Sequence, residues 1–277
     1  QVLDQPTVDP KPSSPKLSLI ALGALLASAL GSIALALLLE GRNPLLGPKD
    51  LQGVEFPVLA RIPLLKGPAL ESDLEAETGV EFQRLASAVS LMPIENGRLM
   101  VSSSSFGEGK TTVTLGLAIA LADLGFRVLL VDGDFRRAEL SRRLGFTREG
   151  VLQSMLVHLR PDLDLVPTIP RQRRVMELVA RGRFERSLET LHESGEYDYV
   201  LIDSAPLGLT SESALMAAAV RNVLLVIRPG TSDRNMVNDS IEQLAQHNAR
   251  IIGLTINGVQ TRSEGYRYAR NIAQGNA

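Results

Sequence analysis

Lys110, Thr111, Asp132, Asp134 and Asp203 are the residues of this 277-residue chain whose types and spacing point most directly to chemistry. Lys110 and Thr111 belong to the stretch Ser102-Ser-Ser-Ser-Phe-Gly-Glu-Gly-Lys-Thr-Thr112, a run of small residues whose backbone N–H groups can wrap closely around phosphate oxygens. A lysine at that point reaches the β- and γ-phosphates of a nucleotide, and the Thr111 hydroxyl can ligate Mg²⁺. The candidate cradle is Ser104, Ser105, Phe106, Gly107, Glu108, Gly109, Lys110, Thr111 and Thr112. The general pattern G-x-x-x-x-G-K-[ST] opens on glycine, where this chain has Ser104. Arg127-Val-Leu-Leu-Val-Asp132-Gly-Asp134 ends an apolar run with two carboxylates, and Tyr197-Asp-Tyr-Val-Leu-Ile-Asp203 ends another with one. Acids at the tips of apolar strands suit Mg²⁺, held directly or through water. The chemistry in view is ATP binding with Mg²⁺, for which Thr111, Asp132, Asp134 and Asp203 are the candidate ligands.

Strands and helices must alternate to bring these residues together. The hydrophobic pattern predicts helices over residues 75–89, 111–124, 138–144, 173–194, 212–220 and 233–247. Strands are predicted over 98–102, 127–131, 162–166, 199–202, 223–227 and 251–256. Strands that are apolar throughout imply burial on both faces, hence a mainly parallel sheet flanked by helices: an α/β P-loop NTPase fold. In such sheets ligands bind at the carboxyl ends of the strands, where Asp132, Asp134 and Asp203 fall.

The chain has no cysteine, which excludes disulfides and thiolate metal sites, and only three histidines. Its net charge of −2 gives no reason to expect nucleic acid as a partner. It begins at Gln1, which reads as a processed product or a fragment. Leu17 to Leu39 is an uncharged run; as a helix it measures roughly 34 Å, against the ~30 Å hydrocarbon core of a bilayer. One transmembrane helix is therefore expected before the fold, with Gly23, Ala27 and Gly31 forming a stripe of small residues. The need for ATP puts its C-terminal side in the cytoplasm. The expected organisation is a proline-rich extracytoplasmic tail (1–16), the membrane helix (17–39), a juxtamembrane linker holding one short strand at 58–62 (40–73), the nucleotide domain (74–258) and a C-terminal tail (259–277).

These motifs together resemble the bacterial tyrosine kinases (BY-kinases) that act as polysaccharide co-polymerases, and the resemblance covers nearly the whole chain. Ser102 to Thr111 matches the family's loop, Leu129 to Arg136 its Asp-x-Asp-x-Arg motif, and Val200 to Pro206 its Walker B element. The proline-rich segment, membrane helix and proline-rich linker also resemble that family, of which this chain would be the last part. The partition and septum-positioning ATPases share the fold and supply the alternative reading, a membrane-tethered assembly switch; their signature lysine is replaced here by Ser105.

The resemblance implies an ATP-dependent protein-tyrosine (auto)kinase of the bacterial inner membrane that regulates exopolysaccharide or capsule chain length and export. Lys110, Asp132, Asp134 and Arg136 would be catalytic. Asp134 would orient or deprotonate the acceptor hydroxyl, in a role exchangeable with Asp132, and Arg136 would contact phosphate or an acceptor segment. Implied partners are other copies of the chain in a ring or dimer, the polysaccharide polymerase and export machinery, and a protein-tyrosine phosphatase. Two departures bear on this. The family's Glu-x-x-Arg-x-x-Arg assembly motif is matched by Glu81 and Arg84 but ends in Ser87. Its tyrosine-rich tail is reduced to Tyr266 and Tyr268, the expected autophosphorylation sites; Tyr197 and Tyr199 are expected to be structural members of a strand.

Overall fold

A computed structural model of the chain describes residues 16–41, 46, 55–65, 71–146, 156–170, 177, 179, 181–194 and 196–259. The chain divides into two compact units, residues 1–44 and 45–277. The described part of the first is one helix, α1 (Leu17–Gly41), long and apolar enough to cross a membrane over Leu17–Leu38.

The second unit is an eight-stranded sheet with helices on both faces. Its elements in chain order are β1 (Val58–Pro63), α2 (Glu71–Ser90), β2 (Arg98–Ser103), α3 (Lys110–Asp123), β3 (Val128–Gly133), α4 (Glu139–Arg143), β4 (Val157–Arg160), β5 (Leu163–Val166), α5 (Arg183–Ser194), β6 (Tyr199–Ser204), α6 (Ser211–Val220), β7 (Asn222–Ile227), α7 (Arg234–Gln246) and β8 (Arg250–Val259). The strand order is β1-β8-β7-β2-β6-β3-β5-β4. Every neighbouring pair is parallel except β4 with β5.

Successive residues of a strand point to opposite faces, so a strand apolar throughout feeds two cores. Leu99, Val101, Val128, Leu130, Leu201 and Leu224 pack with Phe82 and Leu85 of α2 and Val113, Leu117 and Leu121 of α3. Met100, Leu129, Val200, Ile202, Val223 and Leu225 pack with Met216 and Val220 of α6 and Val237 and Leu244 of α7. α3 is buried along nearly all its length, because α2 covers the side turned away from the sheet; a Cβ on Gly116 would collide with the Phe82 ring. α7 starts where the Asp233 side chain accepts from the N–H groups of Asn235 (2.9 Å) and Met236 (3.1 Å), a capping arrangement.

Three expectations differ from the structure. Residues 40–73 are not linker alone: β1 is a member of the sheet, with Ile62 fully buried, and so the sheet draws on residues well before 74. The short strand was expected there, but its partner, β8, lies almost two hundred residues later in the sequence, beyond the reach of local pattern. Of the helix predicted over 173–194, residues 173–176, 178 and 180 lie outside the described residues, and Gly182, with φ of +67°, sits in a turn just before α5 begins. β4 was not expected; its Val-His-Leu-Arg alternation is only four residues long, and it pairs antiparallel with β5 across a tight turn at Asp162 (φ +60°).

Candidate functional site

The site forms where β2, β6 and β3 end side by side. Register places Asp203 opposite both Val101 and Asp132, at the carboxyl edge of the central sheet. The loop from Ser104 to Gly109 runs from β2 into the first turn of α3. Gly107 (φ +79°) and Gly109 (φ +93°) adopt left-handed backbone conformations, and a Cβ on Gly109 would strike the Asn257 side chain. Asn257 Nδ2 donates to the Glu108 carbonyl (2.8 Å), and Arg228 Nη1 donates to the Gly107 carbonyl (3.0 Å). Carbonyl oxygens that would repel an anion are thereby engaged from outside the loop. No side chain caps the N-terminus of α3, so its first N–H groups and the positive end of its dipole are left to a bound anion.

The acidic residues divide by their partners. Asp132 is fully engaged: Oδ1 accepts from the Asp134 N–H (3.1 Å), and Oδ2 accepts from the Ser141 N–H (2.8 Å) and hydroxyl (2.6 Å). Asp134 Oδ1 accepts from the N–H groups of Arg136 (3.3 Å) and Arg137 (3.0 Å). Its Oδ2 has no hydrogen-bond donor and lies 3.5 Å from Lys110 Nζ. Asp203 Oδ1 accepts from the Thr114 hydroxyl (3.1 Å), and its buried Oδ2 has no partner.

Crowding of buried carboxylates shows in their protonation. Burial, then the Asp203 charge, pushes Asp132 up to about 7, against the pull of its hydrogen bonds to Ser141 and Asp134. Burial pushes Asp203 up to about 6, while the Lys110 charge and the Thr111 hydroxyl pull it back down. Two buried carboxylate oxygens with no hydrogen-bond donor, one of them ion-paired with Lys110, form with the Thr111 hydroxyl the donor set of a hard divalent cation. Asp134 Oδ2, Asp203 Oδ2 and Thr111 therefore fit Mg²⁺, whereas Asp132 spends its oxygens on orienting its neighbours. Among the described residues no group of three or more acidic or histidine side chains forms a metal cage by itself. A cation there would complete its shell from phosphate and water, as Mg²⁺ commonly does.

A cleft of about 400 Å³ opens over the loop. Phe106, Gly107, Gly109, Lys110, Thr111 and Thr112 line it, joined by Leu64, Leu65, Arg137, Arg142, Arg143, Arg228 and Asn257 from elsewhere. Arg143 donates to Thr112 Oγ1 (2.8 Å) and Glu139 Oε1 (3.0 Å), tying α4 to the first turn of α3. Glu139 also pairs with Arg142. Partial burial pushes Glu139 up, but Arg143 and Arg142 outweigh it and hold the carboxyl below its ordinary value. The Arg137 guanidinium stacks 3.9 Å above the Phe106 ring.

The structure thus gathers Ser104 to Thr112, Asp132, Asp134 and Asp203 at one edge. It does not bring Arg136 to the cleft, where a phosphate or acceptor contact was expected. The Arg136 guanidinium makes a forked pair with Glu212 of α6 (2.9 Å and 3.3 Å from Nη2). Leu64, Leu65, Arg228 and Asn257 were missed. The first two lie in the stretch read as linker, and the others follow or end strands with no motif around them. Tyr266 and Tyr268 lie outside the described residues. Tyr199 sits in β6, edge-on to Phe126 (5.2 Å), while Tyr197 precedes the strand and donates to Asp164 Oδ2 (2.8 Å). Glu81 and Arg84 pair within α2 (3.1 Å).

Residues 99–277 match the model of the CobQ/CobB/MinD/ParA nucleotide binding domain. The tyrosine-protein kinase CpsD of Streptococcus agalactiae is 29% identical over 192 residues, which cover 64% of this chain and 82% of that protein. The tyrosine-protein kinase etk of Escherichia coli is 26% identical over 311 aligned positions, covering 97% of this chain but 42% of that protein. The solved kinase domain of the E. coli tyrosine kinase ETK superposes with a TM-score of 0.67 at 24% identity, over 79% of this chain and 95% of that one, which is a likeness of fold.

Proposed function

We propose, on the premise that this chain belongs to the CobQ/CobB/MinD/ParA nucleotide-binding family, that it is an ATP-dependent protein-tyrosine kinase regulating exopolysaccharide or capsule chain length and export. The observation that carries the catalytic part is the pair of buried oxygens without a hydrogen-bond donor, Asp203 Oδ2 and the Asp134 Oδ2 that is ion-paired with Lys110, beside the phosphate loop. The specificity for tyrosine comes from relatives that bear the kinase name along the chain's whole length or most of the domain.

Phosphoryl transfer depends on positioning and on neutralising charge. Loop N–H groups and Lys110 hold the nucleotide's phosphates, and the first turn of α3 presents its dipole to them. Thr111 and Asp203 are the residues to hold Mg²⁺, which when bound supplies charge neutralisation at the phosphates; Asp134 Oδ2, which also fits the cation, is kept for the acceptor. Asp132, locked by Ser141 and the Asp134 N–H, fixes the turn that aims Asp134. A free phenol has a pKa of about 10 and is a poor nucleophile at neutral pH. Asp134 Oδ2, with no donor of its own, is the group to orient the acceptor hydroxyl and take its proton. Arg136 is then a strut between the β3 turn and α6 rather than a catalytic group.

In this reading α1 anchors the chain in the bacterial inner membrane with the catalytic unit on the cytoplasmic side. Copies associate through the kinase domain, and a phosphatase and the polymerase and export machinery act on or with it; nucleic acid is no partner. Tyr266 and Tyr268 are the self-acceptors. The full chain in detergent, incubated with Mg·ATP and mapped by mass spectrometry, is expected to carry phosphotyrosine, and Lys110→Met to carry none. ATP bound and hydrolysed with no phosphotyrosine anywhere would overturn the kinase reading in favour of an ATPase switch.

A further inference from the structure

The phosphate loop departs from the general motif at Ser104 and carries an acid, Glu108, at a point where it must receive an anion. In the structure these are one feature. Ser104 Oγ donates to Glu108 Oε1 (2.7 Å), and the Ser105 N–H donates to Glu108 Oε2 (2.9 Å). Ser104 is 0% and Glu108 1% exposed. Glu108 lies between Gly107 and Gly109, whose positive φ values let the backbone reverse on either side of it. No ion pair to Glu108 occurs among the described residues. A buried carboxylate held by neutral donors alone is costly, and more so beside a phosphate site. A gain in order must offset that cost.

We infer that Glu108 is a positioning residue for nucleotide binding, bracing the loop from inside through Ser104. This rests on the reading of the loop as a nucleotide site. A loop that opens on glycine is compact because it has no side chain there; this one is held by a side-chain bridge four residues long. The bridge fixes the beginning of the loop against the turn that presents Gly109 and Lys110. It also occupies the Ser105 N–H, so the phosphate cradle begins after that residue. The Asn257 contact to the Glu108 carbonyl holds the same residue from its other end.

Ser104→Gly restores the general pattern and on that ground should bind nucleotide as well as or better than the original. The brace predicts the opposite: the loss of a charge-assisted hydrogen bond should weaken Mg·ADP binding about tenfold. Glu108→Ala should weaken it to a similar degree. Glu108→Gln keeps the shape, with Oε1 accepting from Ser105 and Nε2 donating to the Ser104 hydroxyl. It removes the buried charge and should bind at least as tightly as the original. Because the two side chains act as a unit, Ser104→Gly/Glu108→Ala should be no weaker than the worse single variant.

The experiment is calorimetric titration of the full chain and these four variants in detergent with Mg·ADP, with thermal melts alongside. A merely structural role would lower the melting temperature in step with affinity. Tight binding by Ser104→Gly, additive losses in the double variant, or a Glu108→Gln as weak as Glu108→Ala each overturns the brace while leaving the site reading intact. Failure of the unsubstituted chain to bind Mg·ADP overturns the site reading itself.

Discussion

Shortening the chain to begin at residue 74 is expected to destabilise the nucleotide domain and weaken its ATP site, whereas a chain beginning at residue 45 keeps both. The first boundary is the one that composition suggests, since residues 40–73 hold five prolines and several glycines. It removes β1, whose Ala60 and Ile62 are buried against the core shared by α2 and α3. It also removes the Pro57 carbonyl that accepts from Leu254 N–H (2.8 Å) and the Leu64 N–H that donates to Val259 (3.2 Å). Losing one fully buried isoleucine and its partly buried neighbours costs on the order of 4 kcal/mol. For a domain of this size that corresponds to a drop in melting temperature of roughly 10 °C. β8 becomes an uncovered edge, so the shorter chain should also aggregate. Leu64 and Leu65 leave the cleft, and Ile62 no longer pairs with Asn257, which holds the Glu108 carbonyl. Weaker Mg·ADP binding should accompany the lower melting temperature. Melts and titrations of the two truncated chains check this; identical behaviour would show that β1 contributes nothing to the site.

Asp203→Asn should move stability and activity in opposite directions. Asn is nearly isosteric, its Oδ1 can still accept from Thr114, and its Nδ2 falls where Asp203 Oδ2 has no partner. Turnover should fall by at least about a hundredfold, since a cation ligand is lost. Without Mg²⁺, the variant should be the more stable protein near pH 8. Burial raises the Asp203 carboxyl from 3.8 to about 6. A raised carboxyl in the folded state means that the fold holds a proton the unfolded chain has released. The favourable contribution is fully present below pH 4, declines as pH rises toward 6, and is gone above that. Asp132, raised to about 7 partly by Asp203, follows the same course and should be relieved as well. The gap between variant and original should therefore open from about pH 4 to pH 7 and then stay level, with an advantage of order 1–3 kcal/mol. Melts in EDTA across pH 4–8 measure it. A variant less stable at pH 8, or active with Mg·ATP, contradicts the assignment of Asp203 as a buried, metal-seeking carboxylate.

The central sheet was legible in the sequence because burial on both faces leaves strands such as Leu99–Val101 and Val128–Val131 without polar interruption. The order of loop, paired acids and single acid placed Lys110, Asp132, Asp134 and Asp203 at one edge for the same reason: the acids end or directly follow such strands, and Lys110 opens the helix after another. Division of labour among those acids was not legible, because it depends on Ser141, nine residues beyond Asp132, turning its N–H and hydroxyl onto that carboxylate. Arg136 misled for a similar reason. Its partner, Glu212, opens a helix seventy-six positions later, and no local spacing marks the pair. β1 escaped as a sheet member because its hydrogen-bonding partner, β8, is the last strand among the described residues, and a proline-rich setting gives an edge strand the look of a tether.

That tether has a mechanical consequence. Whatever holds α1 in place reaches the domain in chain order first at Leu46, which is hydrogen-bonded to Ser232 and Gly230, and then at β1, so tension that passes Leu46 arrives at the N-terminal end of that strand. β1 and β8 run parallel from Val58–Leu254 to Pro63–Val259, with register shifts between Val58 and Ala60 and between Ile62 and Pro63. A pull along β1 therefore loads its hydrogen bonds together, in shear, instead of opening them one by one. If the strand slips, it draws Leu64 and Leu65 away from the cleft and strips support from Asn257. A nucleotide seated against those residues must by reciprocity stiffen the strand against slippage. Occupancy of the cleft and strain on the anchor are then two readings of a single joint.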